Sequence, residues 1–237
     1  MATQIKFSKL IDTDFSDGTL QGWTPQALNE NSVMVVNKPD GSNGKCVRLH
    51  INYNEDFSNM GYGNVPRAAI AFDANKFLYE KNKDYLIKFK TFLPADFQYE
   101  TIYENKFAIF DMHTTLLEGA TPNGILIDKT NYQWNSNIAA EFSNASYLYK
   151  IINVGSILPD LGHWVEWVNY YRPSYSMSGR TVLWKNNQKI FDFNGYTAYK
   201  DVDTYQKFQL YKYAWQVSPT STTDEVMYIA DIQIFEG

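Results

Sequence analysis

The sequence predicts an all-β fold, a two-sheet antiparallel β-jelly-roll sandwich with a concave groove, as a single domain over residues 1–237. Three observations predict it. Short runs of aromatic and β-branched residues recur at roughly 8–12-residue spacing, punctuated by Gly, Pro, Asn and Asp. No stretch longer than about ten residues carries the 3.6-residue apolar period of an amphipathic helix. Aromatic content is 16%, with 18 Tyr, 15 Phe and 6 Trp, types that pack well on pleated surfaces and also line sugar-binding grooves.

In chain order, residues 12–23 are acidic and turn-rich, ending at Trp23. Val33–Val36 and Cys46–Tyr53 read as strands around a strong turn signal, Asn37-Lys38-Pro39-Asp40-Gly41-Ser42-Asn43-Gly44. Val65–Phe72 is a strand carrying Arg67. Tyr85–Leu93 is another, with Tyr85, Ile87, Phe89, Thr91 and Leu93 on one face and Lys88 and Lys90 on the other. Phe107–His113 follows, then Ile125–Asp128, Tyr132–Asn137 and Tyr147–Val154. Trp164–Arg172, Thr181–Lys185 and Lys189–Phe193 form a meander whose turn at Asn186-Asn187 suits positive φ. Tyr205–Tyr213 and Val226–Phe235 complete the set, and the first and last strands are expected to pair.

The net charge of −5 and the absence of a Lys/Arg run argue against nucleic acid or an anionic membrane as partner. The single cysteine, Cys46, excludes an internal disulfide and a Cys-based zinc site, and reads as a small buried residue. No run approaches the ~18 apolar residues of a membrane span. Residues 1–10 lack the apolar core of a secretion signal. The expected setting is extracellular, with any signal peptide absent from this chain; a cytoplasmic setting fits the same residues.

Alternation along strands brings polar groups to common faces. In Phe107–His113, Phe107, Ile109, Asp111 and His113 share one face; in Tyr205–Tyr213, Tyr205, Lys207, Gln209, Tyr211 and Tyr213 share one. Together with Arg67 they would pave a groove if their strands are neighbours. Ordinary solvent faces carry more Lys, Glu and Thr and less Tyr.

These three stretches resemble the strand motifs of the concanavalin A-like jelly-roll polysaccharide lyases, among them glucuronan lyases, heparin-lyase-like proteins and jelly-roll alginate lyases. Pro66-Arg67-Ala68-Ala69 resembles the family's Arg-bearing strand. Asp111-Met112-His113 resembles its Gln-x-His strand, with Asp in the Gln position. Lys207-Phe208-Gln209-Leu210-Tyr211 resembles its Lys-x-Gly-x-Tyr strand. Gly162-His163-Trp164, followed by Gly179 through Trp184 to Asn186-Asn187, is similar to the family's G-x-W … G-x-x-x-x-W-x-N-G pattern, with Asn187 for its last Gly.

The resemblance implies β-elimination on a uronate-containing polysaccharide by a monomer that needs no cofactor for catalysis. Arg67 would neutralise the uronate carboxylate with its planar fork. Tyr211 would be the general acid, its ordinary pKa of about 10 lowered by nearby cations. His113 would be the base or a carboxylate partner. Asp111, Lys207, Gln209, Tyr213 and Trp134 would bind substrate. Asp111 departs from the pattern: when ionised it repels a uronate, so it helps as a protonated acid, as an orienter of His113 or as a ligand for a sugar hydroxyl. The other function on this scaffold is a non-catalytic carbohydrate-binding or glycan-receptor module. Related jelly rolls also carry a structural calcium, for which Asp14, Asp17 and Asp231 are candidate ligands; the other reading for these is turn and strand-end carboxylates. Trp164 and Trp184, inside strong strands, are assigned to the core.

Overall fold

The computed structural model describes residues 5–237 except 62–63, 73–75, 99–105, 116–120, 129–132, 144–145, 213–214 and 216–220, with backbone alone at 106–107, 141–143 and 146–147. Fifteen strands are formed among the described residues: β1 Ser8–Thr13, β2 Trp23–Ala27, β3 Val33–Asn37, β4 Lys45–Asn52, β5 Arg67–Phe72, β6 Tyr85–Phe92, β7 Lys106–Thr114, β8 Asn123–Asp128, β9 Gln133–Ser143, β10 Ser146–Ser156, β11 Trp164–Arg172, β12 Arg180–Lys185, β13 Gln188–Asn194, β14 Thr204–Tyr211 and β15 Asp224–Glu236. They form two antiparallel sheets. The front sheet runs β10-β9-β8-β7-β14-β5-β2; the back sheet runs β13-β12-β11-β6-β15-β4-β3, with β1 also paired to β15. Among the described residues no helix is long and apolar enough to cross a membrane.

Alternation explains the layering. On β6, Tyr85, Ile87, Phe89 and Thr91 are at most 1% exposed, while the intervening Lys88 and Lys90 are part-exposed. Phe89 reaches the front sheet, stacking on Phe110 at 4.7 Å and meeting Phe208 edge-on at 4.9 Å. Polar cross-links fasten the two layers. Asn123 on β8 donates to Thr181 Oγ1 on β12 at 2.8 Å. Asp160, on the turn after β10, accepts from Trp134 Nε1 of the front sheet at 2.6 Å and pairs with Lys185 of the back sheet.

The β11–β13 meander forms as expected, and Asn186 and Asn187 take φ of 48° and 65° at its turn. Asparagine tolerates this left-handed region, so the missing Gly costs little. Cys46 is fully buried, and burial pushes its thiol up to about 12. The first and last strands pair as expected, and the first is Ser8–Thr13, a mostly exposed edge that carries little apolar alternation. Two expectations change. Trp164 and Trp184 are only half-buried, because they occupy outward positions of β11 and β12 while Trp167 fills the core. Ile109 does not share a face with Asp111. The register of β7 shifts against both β8 and β14 at this residue, and Ile109 turns into the core together with Phe110.

Candidate active site

The outward face of the front sheet carries the polar cluster. On β14, Phe208 and Leu210 enter the core, so Tyr205, Lys207, Gln209 and Tyr211 leave the sheet on the other side. Strand β14 lies between β7 and β5, which sets what stands beside each of them. Tyr205 faces His113, Lys207 faces Asp111 on one side and Ala71 on the other, and Tyr211 faces Arg67. Beyond β7 the Asp111 row continues to Gly124 of β8 and Asn137 of β9. Arg67, Asp111, Lys207 and Gln209 point away from the core yet are only 6%, 1%, 1% and 3% exposed. They therefore lie in a recess. Ala69, Ala71 and Gly124 keep its floor low. A Cβ at Gly124 would come within 2.4 Å of Asn137 Oδ1, so glycine here lets the Asn137 amide lie across the floor.

The hydrogen bonding in the recess is unbalanced. Asp111 Oδ2 accepts from Gln209 Nε2, and Asn137 Nδ2 donates to the Thr121 carbonyl at 2.8 Å. Asp111 Oδ1, Asn137 Oδ1, Gln209 Oε1 and Gln26 Oε1 are buried with no donor. Gln26 belongs to the same face, opposite Ala69 on β2. Four acceptors without donors on one face form a surface prepared for hydroxyl and N–H groups from outside.

Burial also acts on the charges. It pushes the Asp111 carboxyl above its ordinary value, although His113, Lys207, the Gln209 hydrogen bond and Arg67 all pull the other way. It pushes the Lys207 ammonium down to about 8, against the attraction of Asp111. Arg67 lies over the Tyr211 ring at 4.9 Å and donates from Nε to the Val65 carbonyl at 3.3 Å. His113 Nδ1 is 2.9 Å from the Thr114 carbonyl. A carbonyl only accepts, so Nδ1 carries the hydrogen and Nε2 is the basic nitrogen. The rings of His113 and Tyr205 have centroids 5.3 Å apart, and both are part-exposed.

The recess thus gathers Arg67, Asp111, His113, Lys207 and Gln209, but it does not bring Tyr211 to His113. Tyr211 is abreast of Ala108. From Ala108 to His113 is five residues of strand, about 16 Å of extended chain. The tyrosine abreast of His113 is Tyr205, which shares the expected face but carries no motif of its own. Trp134 is displaced from the expected role. It occupies a core-facing position of β9, is fully buried and packs edge-on against Trp167 at 5.1 Å, so no sugar can stack on it. Trp23 and Trp215 are buried as well. Tyr213 lies outside the described residues.

The acidic trio is spread over three local arrangements. Asp14 accepts from Ser16 N at 2.9 Å and Ser16 Oγ at 2.8 Å, and Asp17 accepts from Thr19 N at 2.8 Å, each closing its own turn. These bonds hold both carboxyls below the ordinary range. Asp231 sits at a bulge of β15 with φ of 53° and pairs with Lys90 at 3.0 Å and Lys38 at 3.5 Å. Among the described residues no three His, Cys, Asp or Glu side chains are grouped to hold a metal.

A family model described as polysaccharide lyase matches residues 15–233, nearly the whole chain. The chain belongs to the polysaccharide lyase family. Solved structures of similar shape include an endo-β-1,4-glucuronan lyase from the fungus Trichoderma reesei, with a TM-score of 0.74 and 15% identity over 96% of this chain and 95% of that one. An alginate lyase bound to an alginate trisaccharide is similar at a TM-score of 0.53 and 11% identity, covering 94% of this chain and 96% of that one. A carbohydrate esterase of a Shiga toxin-encoding bacteriophage follows at 0.54 and 13%, covering 97% and 99%. At such identities the likeness is one of fold. No curated protein sequence matches the chain. The two-sheet jelly-roll expectation and the family resemblance both hold, and the recess lies on the sheet that bears all three resembling strands.

Proposed function

We propose that this lyase cleaves a uronic-acid-containing polysaccharide by β-elimination in the front-sheet recess, with His113 as base and Tyr205 as acid. The observation that carries this reading is the facing pair of His113 and Tyr205 beside a buried cationic cluster. In β-elimination the C5 proton leaves, its electron pair becomes the C4=C5 double bond, and the C4–O4 bond breaks. C5 and O4 are two bonds apart, so the groups that take and give the protons must stand within a few ångströms of each other. The neighbouring rings of His113 and Tyr205, with centroids 5.3 Å apart, support this assignment; Tyr211, abreast of Ala108, stands about five residues of strand from His113.

The C5 proton is only weakly acidic until the adjacent carboxylate is neutralised. Lys207 brings positive charge to the floor opposite Asp111, two residues from His113, and Arg67 adds to it from the β5 side, both in a buried setting where charge acts strongly. His113 then takes the C5 proton at Nε2, held in that tautomer by Thr114, and Tyr205 protonates O4 as the bond breaks. Every group in the sequence of events is a side chain of this chain. Arg67, stacked on Tyr211, would hold a neighbouring sugar or the same carboxylate from the β5 side.

The test is incubation with glucuronan, alginate and other uronate polysaccharides while following the ultraviolet absorbance of the unsaturated product. A rise that is lost in Tyr205→Phe supports the reading. Tight binding of these glycans with no absorbance rise at any pH would replace it with a binding function.

A further inference from the structure

The residue in the family's Gln position is an acid, and its surroundings define how it works. Asp111 is 1% exposed and takes part in one side-chain hydrogen bond, from Gln209 Nε2 to Oδ2. Its Oδ1 is buried with no partner and belongs to the outward face. Among the described residues, His113 lies two residues along its own strand, Lys207 and Gln209 face it from β14, and the charge of Arg67 on β5 acts on it. On the β8 and β9 side are Gly124 and Asn137, neither of which titrates. Among the described residues the ion pairs with a carboxylate lie elsewhere, as at Lys185–Asp160 and Lys212–Glu225. Meanwhile Asn137 Oδ1 and Gln209 Oε1 beside it also lack donors. This corner of the recess holds too many acceptors and too few hydrogens, and a uronate carboxylate would add two more acceptor oxygens.

We propose that Asp111 binds the uronate as a neutral carboxylic acid, donating the hydrogen on Oδ1 to the substrate carboxylate. This rests on the uronate reading above and deepens it. A protonated carboxyl presents one O–H donor and one carbonyl-like acceptor, the same complement that a glutamine amide offers at this place in the family pattern. Gln209 occupies the acceptor oxygen and leaves the donor for the substrate. Burial, which raises the Asp111 carboxyl, favours the same protonation state. The sugar's own hydroxyls can then supply donors to Asn137 Oδ1 and Gln209 Oε1. The consequence is proton-linked binding. Above the pH at which Asp111 ionises, its carboxylate repels the uronate, and affinity falls by up to tenfold per pH unit.

The full chain labelled at aspartate Cγ tests this by carbon NMR titration, with Asp111 identified by its absence in Asp111→Asn. The expected result is a carboxyl that keeps its proton above the ordinary aspartate range; titration within or below that range overturns the proposal. Binding of a glucuronate oligosaccharide and an alginate oligosaccharide is then measured against pH, up to about 8, where Lys207 starts to lose its own proton. Wild type should lose affinity as Asp111 ionises and Asp111→Asn should not, with Asp111→Gln as the second variant if the first fails to fold. An equal fall in both overturns the proposal. Product absorbance on the same samples separates the two claims. Proton-linked binding without product sinks the lyase reading and leaves Asp111's role standing; product without the linkage does the reverse.

Discussion

Tyr205 stands directly across the β14–β7 pair from His113, ring centroids 5.3 Å apart, while Tyr211 is paired with Arg67 at the other end of the same strand. One strand therefore carries two tyrosines with different neighbours. Tyr205→Phe should lower kcat by about a hundred- to ten-thousand-fold, the usual contribution of a positioned acid, with little change in KM. Tyr211→Phe should act mainly on KM. The reverse ranking, measured as kcat and KM on one uronate polysaccharide, would assign the proton chemistry to Tyr211.

Arg67→Lys keeps the charge and discards the planar fork and its stacking on Tyr211. Loss of one charge-assisted bond corresponds to roughly a tenfold rise in KM. Steady-state kinetics with the variant checks this, and an unchanged KM would remove Arg67 from substrate binding.

Lys207 gives a stability signature. The unfolded chain holds this proton up to 10.5, whereas burial in the folded chain pushes the ammonium down to about 8. Between those values the unfolded state binds more protons, so this group's contribution to stability rises with pH. Below about 8 the buried ammonium costs the fold about 3 kcal/mol. Lys207→Met should be more stable than wild type at neutral pH by a figure of that order, and the difference should shrink between pH 8 and 10.5. The same variant should bind uronate more weakly. Denaturant unfolding across pH, with binding measured alongside, tests both.

Asp160 offers a control away from the recess. It is 6% exposed and holds Trp134 Nε1 and the Lys185 ammonium between the sheets. Asp160→Ala leaves both without their acceptor and should cost about 3–5 kcal/mol, as for breaking a buried pair from one side. Turnover per folded molecule should be unchanged. A matching loss of turnover well below the unfolding temperature would mean that the interlayer pairing also shapes the recess.

Much of the fold was legible because its signals are local. Alternation marked the inward face of β6, and Asn186-Asn187 marked the turn between β12 and β13. The β1 edge strand was not, since Ser8–Thr13 is mostly exposed and leaves no apolar period to read. The tryptophans were harder still. Trp134 and Trp164 sit in equally strand-like stretches, and only the side on which each sheet packs put one in the core and left the other part-exposed.

The same division runs through the site. Alternation by itself placed Lys207, Gln209, Tyr205 and Tyr211 on a common face, and motif order pointed to Arg67, Asp111 and His113. What alternation cannot supply is register. Which tyrosine stands abreast of His113 depends on pairing two strands about ninety residues apart, and on the shift at Ile109 that slides one half of β7 against the other. Burial is likewise a property of the assembled sheets. The sequence by itself determined which side chains of each strand share a face; the tertiary structure decided which of them are neighbours and which are dry, and it brought Gln26 and Asn137 to the recess while taking Trp134 into the core, because strand register and sheet packing join residues far apart in the chain.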